Sequence, residues 1–534
     1  MEVEMIESGR GNGRLVGGQG QSTWDGLLGG AARAGVMACL LLGVALGAMG
    51  QELDAQVQRL ITTGRLGNAK VGVSMVDVST GRTLASIRAD EPHIPASNQK
   101  ILTSGAALLV LGSDFTFRTE VLVRGRTLVL KGAGDPAFGD PKLLGEVGGE
   151  PLTVERLLDL LAEATRKAGV DQIDEIVIDD RIFDREFVHA TWPIDQLNRW
   201  YCAEVAGLNF HTNVINVFAT PTSIGEAPRV RMQPSSPWLE IQNSARTVAK
   251  GENTTWVARA QGTNRFTLFG DVRFPSQVPV EVTVHDVPLY VGRLFAGALL
   301  RANVGVAGRT GAGEWTGAID AVRRAAEGET FGDARTVAVV TTHLSDILKR
   351  CNNDSQNLYA EALIKRIGAE VTGEPGSWTN GAAVMRMVLS ERLGPQAAAG
   401  AVIADGSGMS RGNLVSPSTL VSFLSMMGRD PKVSDVFIQS MATVGDGTLT
   451  RRFRDTALTN NLFAKSGAIN GVRCLSGYLI SPTTGRTVAF SVMCNDLQSG
   501  EPSINALRLH EQVVKVADEW LSRQVAIEPS ALGG

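Results

Sequence analysis

Three short constellations in this sequence could do nucleophilic chemistry. Ser97 and Lys100, in Pro95-Ala96-Ser97-Asn98-Gln99-Lys100, stand at i and i+3 ahead of the apolar run ILTSGAALLVLG. On a helix that spacing projects both side chains from one face, so the amine can reach the hydroxyl. The positive end of the helix dipole favours an alkoxide, and an oxyanion beside it, at the first turn. Lys100 must be neutral to accept a proton; half neutrality at pH 7 costs roughly 4.6 kcal/mol against its ordinary pKa, which burial and a second cation together can supply. Alone, the pair also fits a capping serine and a solvated lysine. Ser355-Gln356-Asn357 lies between the segments SDILKRCNND and LYAEALIKRIG, where a turn joining two helices can aim a hydroxyl and an amide into a cleft or simply cap the second helix. Lys465-Ser466-Gly467-Ala468 enters the strand 472–480. It would serve as a docking rail, the backbone pairing with an extended substrate and Lys465 attracting a carboxylate; a plain turn is the alternative.

The elements that must hold these residues follow from periodicity. Residues 51–62 read as an amphipathic helix, 70–78 and 83–88 as a hairpin turned at Thr80-Gly81, and a helix follows from Ser97. From 120 to about 340 the chain is mainly short alternating segments, a β-rich and self-contained stretch. Helices return at 345–368, 379–393 and 417–427, then a hairpin (472–480 and 486–495) and a helix at 502–521 with apolar residues at helical spacing. The two ends therefore read as halves of one α/β domain with something inserted between them, and the chemistry belongs where the halves meet.

Order and setting change what the three motifs mean. S-x-x-K at a helix start, S-x-N between helices and K-[TS]-G on a strand before the C-terminal helix together match the signature of β-lactamases and penicillin-binding proteins. The long insertion between Ser97 and Ser355 resembles the class C low-molecular-mass penicillin-binding proteins, the D-alanyl-D-alanine carboxypeptidase/endopeptidase family. KGAGDP (131–136), WYCAEVAGLNFHTN (200–213), SQNLYAEAL (355–363), ADGSGMSR (404–411) and GDGTLTRR (445–452) are similar to that family as well. The resemblance implies an α/β (α+β) transpeptidase-like domain formed by 51–130 and 336–534, with β-rich accessory domains at 131–335. It implies Ser97 as nucleophile, Lys100 as its base and Ser355 as the proton relay to the leaving amine. Asn357 would hold the acyl amide, and Lys465 with Ser466 the terminal carboxylate. Gly467 belongs to the same rail, and the N–H groups of Ser97 and Ala468 would form the oxyanion hole. Lys465 would also be the cation that lowers the pKa of Lys100. The implied substrates are peptidoglycan stem peptides ending in D-Ala-D-Ala, with β-lactams as inhibitors. Two residues depart from the family pattern: Gln356 stands where Asp is commoner, and Ala468 where Ser or Thr is common, which removes one possible carboxylate contact.

Composition bounds the alternatives. The chain has 534 residues, 43% hydrophobic and 20% charged, with net charge −4, an ordinary globular composition that excludes disorder, collagen and coiled coil. No broad basic field is available for nucleic acid. Arg10, Arg14 and Arg33 precede the apolar run 36–46, which has the length of a signal-peptide core and is too short to span a bilayer. Cleavage is expected after Gly50, with 1–50 as signal peptide and extension and a periplasmic destination; the tail after Leu521 shows no apolar face for an anchor. Cys202, Cys351, Cys474 and Cys494 have no C-x-x-C spacing, and the scattered histidines make no ligand pair, so no metal or cofactor is expected. Cys474 and Cys494, on consecutive strands, could bridge in an oxidising compartment. A β-lactamase would use an E-x-x-L-N water-activating segment; EVAGLN (204–209) is one residue too long. A non-catalytic wall-binding protein would be expected to lose a motif residue, and none is lost.

Overall fold

The structure, a computed structural model, describes residues 2–5, 52–147, 151–310 and 315–527. The apolar run 36–46 and the expected cleavage point lie outside the described residues. Two sheets organise the rest. In the first, Asn461–Ile469, Val472–Ile480, Thr487–Asn495, Lys70–Asp77 and Thr83–Ile87 lie side by side, every neighbour antiparallel. The two ends of the chain join here, Val71 opposite Cys494 and Asp77 opposite Val488. The middle strand Thr487–Asn495 is buried at every residue but the first, because helices cover both faces; such a strand reads as a continuous apolar run rather than an alternation. On one face the Glu501–Ile527 helix packs Leu509, Val513, Val514, Ala517, Trp520 and Leu521 against it, each larger side chain contributing roughly 1.5–3 kcal/mol on burial. That helix continues past its expected end at 521.

The other face carries the helix Gln99–Leu111, with Pro417–Arg429, Asn357–Thr372 and Trp378–Leu393 around it. Gln99–Leu111 is buried from Gln99 to Leu108, as expected for a helix apolar nearly all round. Its small residues permit close neighbours: a Cβ at Gly105 would sit 2.4 Å from the Phe423 ring.

The second sheet orders Glu2–Met5, Arg335–His343, Thr116–Arg124, Thr127–Lys131, Glu175–Asp179 and Val322–Arg324. Its core includes the helices Val154–Lys167 and Val287–Arg301, so the middle of the chain is less purely β than its short alternating segments suggest. Both helices are encoded locally. Leu157, Leu158, Leu161, Ala162 and Thr165 form one buried stripe behind the Thr153 cap, and Asp286 caps the other, with Pro288 in its first turn. Smaller sheets complete the middle of the chain.

One further expectation is corrected, on the third motif, and the open question of a Cys474–Cys494 bridge is answered. Lys465-Ser466-Gly467-Ala468 sits on its own edge strand, Asn461–Ile469, one strand before the expected 472–480. Cys474 and Cys494 are free: Cys474 pairs with Met493 and Cys494 with Arg473, so the two thiols fall on opposite sheet faces, in different cores.

Candidate active site

Ser97 occupies a 3₁₀ turn, Ala96–Asn98, immediately before the Gln99–Leu111 helix, one step earlier than the α-helical turn expected. The turn is anchored to the sheet by Asn98, whose Nδ2 donates to Ser476 Oγ at 2.6 Å; that hydroxyl donates onward to Ser491 Oγ at 2.8 Å. The edge strand passes so close that a Cβ at Gly467 would meet the Pro95 carbonyl at 2.8 Å. Only glycine keeps the strand and the Ser97 turn together there.

Lys100 is fully buried and makes three contacts: Ser97 Oγ at 3.0 Å, Asn357 Oδ1 at 2.7 Å and the Ser407 carbonyl at 2.9 Å. Two carbonyl-type oxygens can only accept, so when Lys100 is neutral they take its two N–H bonds. The remaining lone pair then points at the Ser97 hydroxyl. Burial pushes the Lys100 ammonium down to about 8, against the pull of Cys351, Glu361 and Asp405.

Lys465, also fully buried, donates to Ser355 Oγ at 2.8 Å and to the Ser466 carbonyl at 2.7 Å. Its pKa lies well below the ordinary lysine value, first through burial and then through the charge on Lys100. The repulsion between the two buried ammoniums is mutual, so each disfavours the charged form of the other.

Ser355 adopts φ 61°, a left-handed conformation that costs a serine about 1–3 kcal/mol and persists only where surroundings enforce it. They do so here. The Gln356 N–H donates to the Arg350 carbonyl at 3.2 Å, the Thr448 N–H to the Asn353 carbonyl at 3.1 Å, and Lys465 holds the Ser355 hydroxyl. Asn357 opens the next helix and donates Nδ2 to the Tyr201 carbonyl at 2.7 Å.

Ser97, Ser355, Asn357 and Ala468 line one cleft of about 1050 Å³, with Tyr201, Gly408, Met409 and Arg411 among its other walls. Lys100 and Lys465 lie beneath it. Ser466 is half-buried and Gly467 buried, and neither lines the cleft; nor does Gln356. Glu204 stands elsewhere: it accepts from the His285 ring at 2.8 Å and the Asp286 N–H at 2.9 Å, a structural role that leaves it no water to activate at Ser97. Sequence reasoning missed the contributions of Tyr201 and Ser407, because both act through backbone carbonyls that any residue type supplies.

The family model for D-Ala-D-Ala carboxypeptidase 3 (S13) matches residues 53–517. A D-alanyl-D-alanine carboxypeptidase from Actinomadura sp. (strain R39) is 34% identical over 481 residues, covering 84% of this chain and 82% of its own. The D-alanyl-D-alanine carboxypeptidase DacB of Haemophilus influenzae is 23% identical over 453 residues, 81% of this chain and 87% of its own. In fold, the crystal structure of penicillin binding protein 4 from Haemophilus influenzae matches with TM-score 0.68 at 21% identity, over 86% of this chain and 99% of that one.

Proposed function

Because the chain belongs to the D-Ala-D-Ala carboxypeptidase 3 (S13) family, and is thus a serine-type, penicillin-binding D-Ala-D-Ala carboxypeptidase/endopeptidase, we propose the following division of labour in its cleft. Ser97 Oγ attacks the carbonyl between the two D-alanines while Lys100 takes its proton, forming an acyl-enzyme. The N–H groups of Ser97 and Ala468 stabilise the oxyanion. Ser355, held by Lys465, passes a proton to the departing amine, and water then releases the acyl group. The observation that carries the reading is the pair of buried lysine–serine contacts, Lys100 to Ser97 at 3.0 Å and Lys465 to Ser355 at 2.8 Å, beneath one cleft.

The same geometry suggests how substrate switches the base on. A terminal carboxylate drawn toward Lys465 and Ser466 favours the charged form of Lys465, and that charge in turn disfavours the ammonium of Lys100. Asn357, with both amide atoms already engaged, orients Lys100 as well as offering its side chain to the acyl amide. The substrates in this reading are peptidoglycan stem peptides or cross-links, and β-lactams acylate Ser97 in their place. A cell-wall enzyme family implies export; cleavage after Gly50 and a periplasmic location belong to the proposal. So does the division into a unit from 51–130 and 336–534 and an inserted unit from 131–335, with the sheet of Arg335–His343, Thr116–Arg124, Thr127–Lys131, Glu175–Asp179 and Val322–Arg324 as its seam.

The test is intact-protein and peptide mass spectrometry of the full chain mixed with benzylpenicillin, with Ser97→Ala as control. A stable adduct on the Ser97 peptide, absent from the control, is expected. Rapid loss of penicillin without an adduct would make the protein a β-lactamase. Neither adduct nor turnover would leave a wall-binding protein.

A further inference from the structure

The Asn357–Thr372 helix carries a buried polar stripe that the three motifs do not account for. Asn357, Glu361 and Lys365 recur at i, i+4 and i+8, so they share one face. Asn357 reaches Lys100. Lys365 donates to Asp184 Oδ1 and to the Glu186 carbonyl at 2.6 Å each, and its ammonium lies 3.9 Å from the centre of the Trp378 ring. Between them, Glu361 is fully buried and accepts three bonds: the Ser407 N–H at 2.8 Å on Oε1, and the Gly406 N–H at 2.9 Å and Trp378 Nε1 at 2.7 Å on Oε2.

The turn that Glu361 grips has little other freedom. Asp405 accepts from the N–H groups of Gly408 at 2.8 Å and Ser410 at 2.6 Å, and from Trp192 Nε1 at 2.9 Å and Asn413 Nδ2 at 2.7 Å. A Cβ at Gly406 would stand 2.4 Å from the Ala360 carbonyl. Ser407 is therefore held on both sides, its N–H by Glu361 and its carbonyl by Lys100.

We propose that Glu361 is a positioning residue for acylation: it fixes the Ser407 carbonyl that turns the Lys100 lone pair toward Ser97, and its charge stabilises the ammonium form of Lys100. The inference rests on the roles given above to Ser97 and Lys100. Burial and the neighbouring Asp405 push Glu361 up to about 7, so it titrates close to Lys100. The titratable groups around the pair are Asp405, Lys365, Lys465 and the Cys351 thiol, which burial keeps neutral, with Asp184 and Glu186 facing Lys365 and His189 facing Asp405. Ionised Glu361 holds the proton on Lys100; removing that charge lets the proton go at lower pH.

The experiment compares the full chain with Glu361→Gln and Glu361→Asp. The rate of benzylpenicillin acylation is followed by mass spectrometry from about pH 5.5 to 9.5, per acylatable Ser97, so that misfolded molecules drop out of the rate. For Glu361→Gln, the midpoint of the rise in rate should move down by about half to one pH unit, because the counter-charge is gone. Its plateau should fall about tenfold, because an amide oxygen cannot replace both carboxylate oxygens toward three donors. Glu361→Asp keeps the charge, so its midpoint should match the parent while its plateau falls, the shorter side chain no longer spanning both N–H groups. A Glu361→Gln profile superimposable on the parent overturns the proposal; if that variant does not fold, an unchanged Glu361→Asp plateau overturns it. Absence of any Ser97 adduct in the parent would instead overturn the assignment of the nucleophile on which the proposal rests.

Discussion

In the proposed mechanism, Lys100 is fitted to act as the base by where its three contacts come from. Two oxygens that cannot donate, on Asn357 and Ser407, leave the third direction for Ser97, so geometry selects the lone-pair direction once the amine is neutral. With its pKa held at about 8, roughly a tenth of the free enzyme carries that lone pair at pH 7. The sign follows: protonation disables the base, so acylation by benzylpenicillin should rise about tenfold per pH unit below 8 and level off above it, as stopped-time mass spectrometry across pH would measure. Ser355→Ala removes the hydroxyl that Lys465 holds and should lower acylation by about 10²-fold or more, with folding retained by circular dichroism. At this scale the sequence was informative where side chains act. Ser97, Lys100, Ser355 and Lys465 stand out by type and spacing, and meet beneath or along one cleft. Glu361 could have been found as the buried-face partner of Asn357 at i+4, but its partners, the N–H groups of Gly406 and Ser407, have no sequence signature.

Between elements, fit depends on missing side chains. Gly408, at φ +83°, lies so near the Ser97 turn that a Cβ would be 1.8 Å from the Ala96 carbonyl. Gly408→Ala should therefore push the 405–410 turn and the Ser97 turn apart. A loss of about 3 kcal/mol or more in denaturant unfolding, together with loss of penicillin binding, is expected. The elements themselves were largely legible: period-2 runs at 70–78, 472–480 and 486–495 became neighbours in one sheet, and the breaks at 353–356 and 394 separate helices as their turn residues suggest. Reading the middle of the chain as strands passed over Val154–Lys167, whose leucines recur at helical spacing. The edge strand Asn461–Ile469 was less visible, because Lys465 and Gly467 occupy its buried face in place of apolar residues; the demands of the site override β patterning there.

Across the whole molecule, the segment proposed as inserted contacts the turn that carries Ser355 directly. Asp140, the cap of the short Pro141–Gly145 helix that follows the second sheet's Thr127–Lys131 strand, accepts from Arg350 Nε at 2.9 Å and NH2 at 2.8 Å and from the Tyr359 hydroxyl. Arg350 also pairs with Asp354, the neighbour of Ser355, and Lys142 reaches the same carboxylate at 2.7 Å. One buried guanidinium thus ties Asp140 to Asp354, the neighbour of the strained Ser355. Removing Asp140 strands Arg350 and the Tyr359 hydroxyl without their shared acceptor, and a buried ion pair broken on one side costs about 3–5 kcal/mol. Asp140→Ala should accordingly lower unfolding stability by that amount and slow acylation per folded molecule, as Ser355 loses its support. Lys142→Ala, which removes a half-exposed partner from the Asp354 carboxylate, should change stability by no more than about 1 kcal/mol. If the two variants behaved alike in denaturant and in penicillin acylation, the insertion would be a passive appendage. A large difference would mean that the fold's long detour between Ser97 and Ser355 helps hold the active turn in its working conformation.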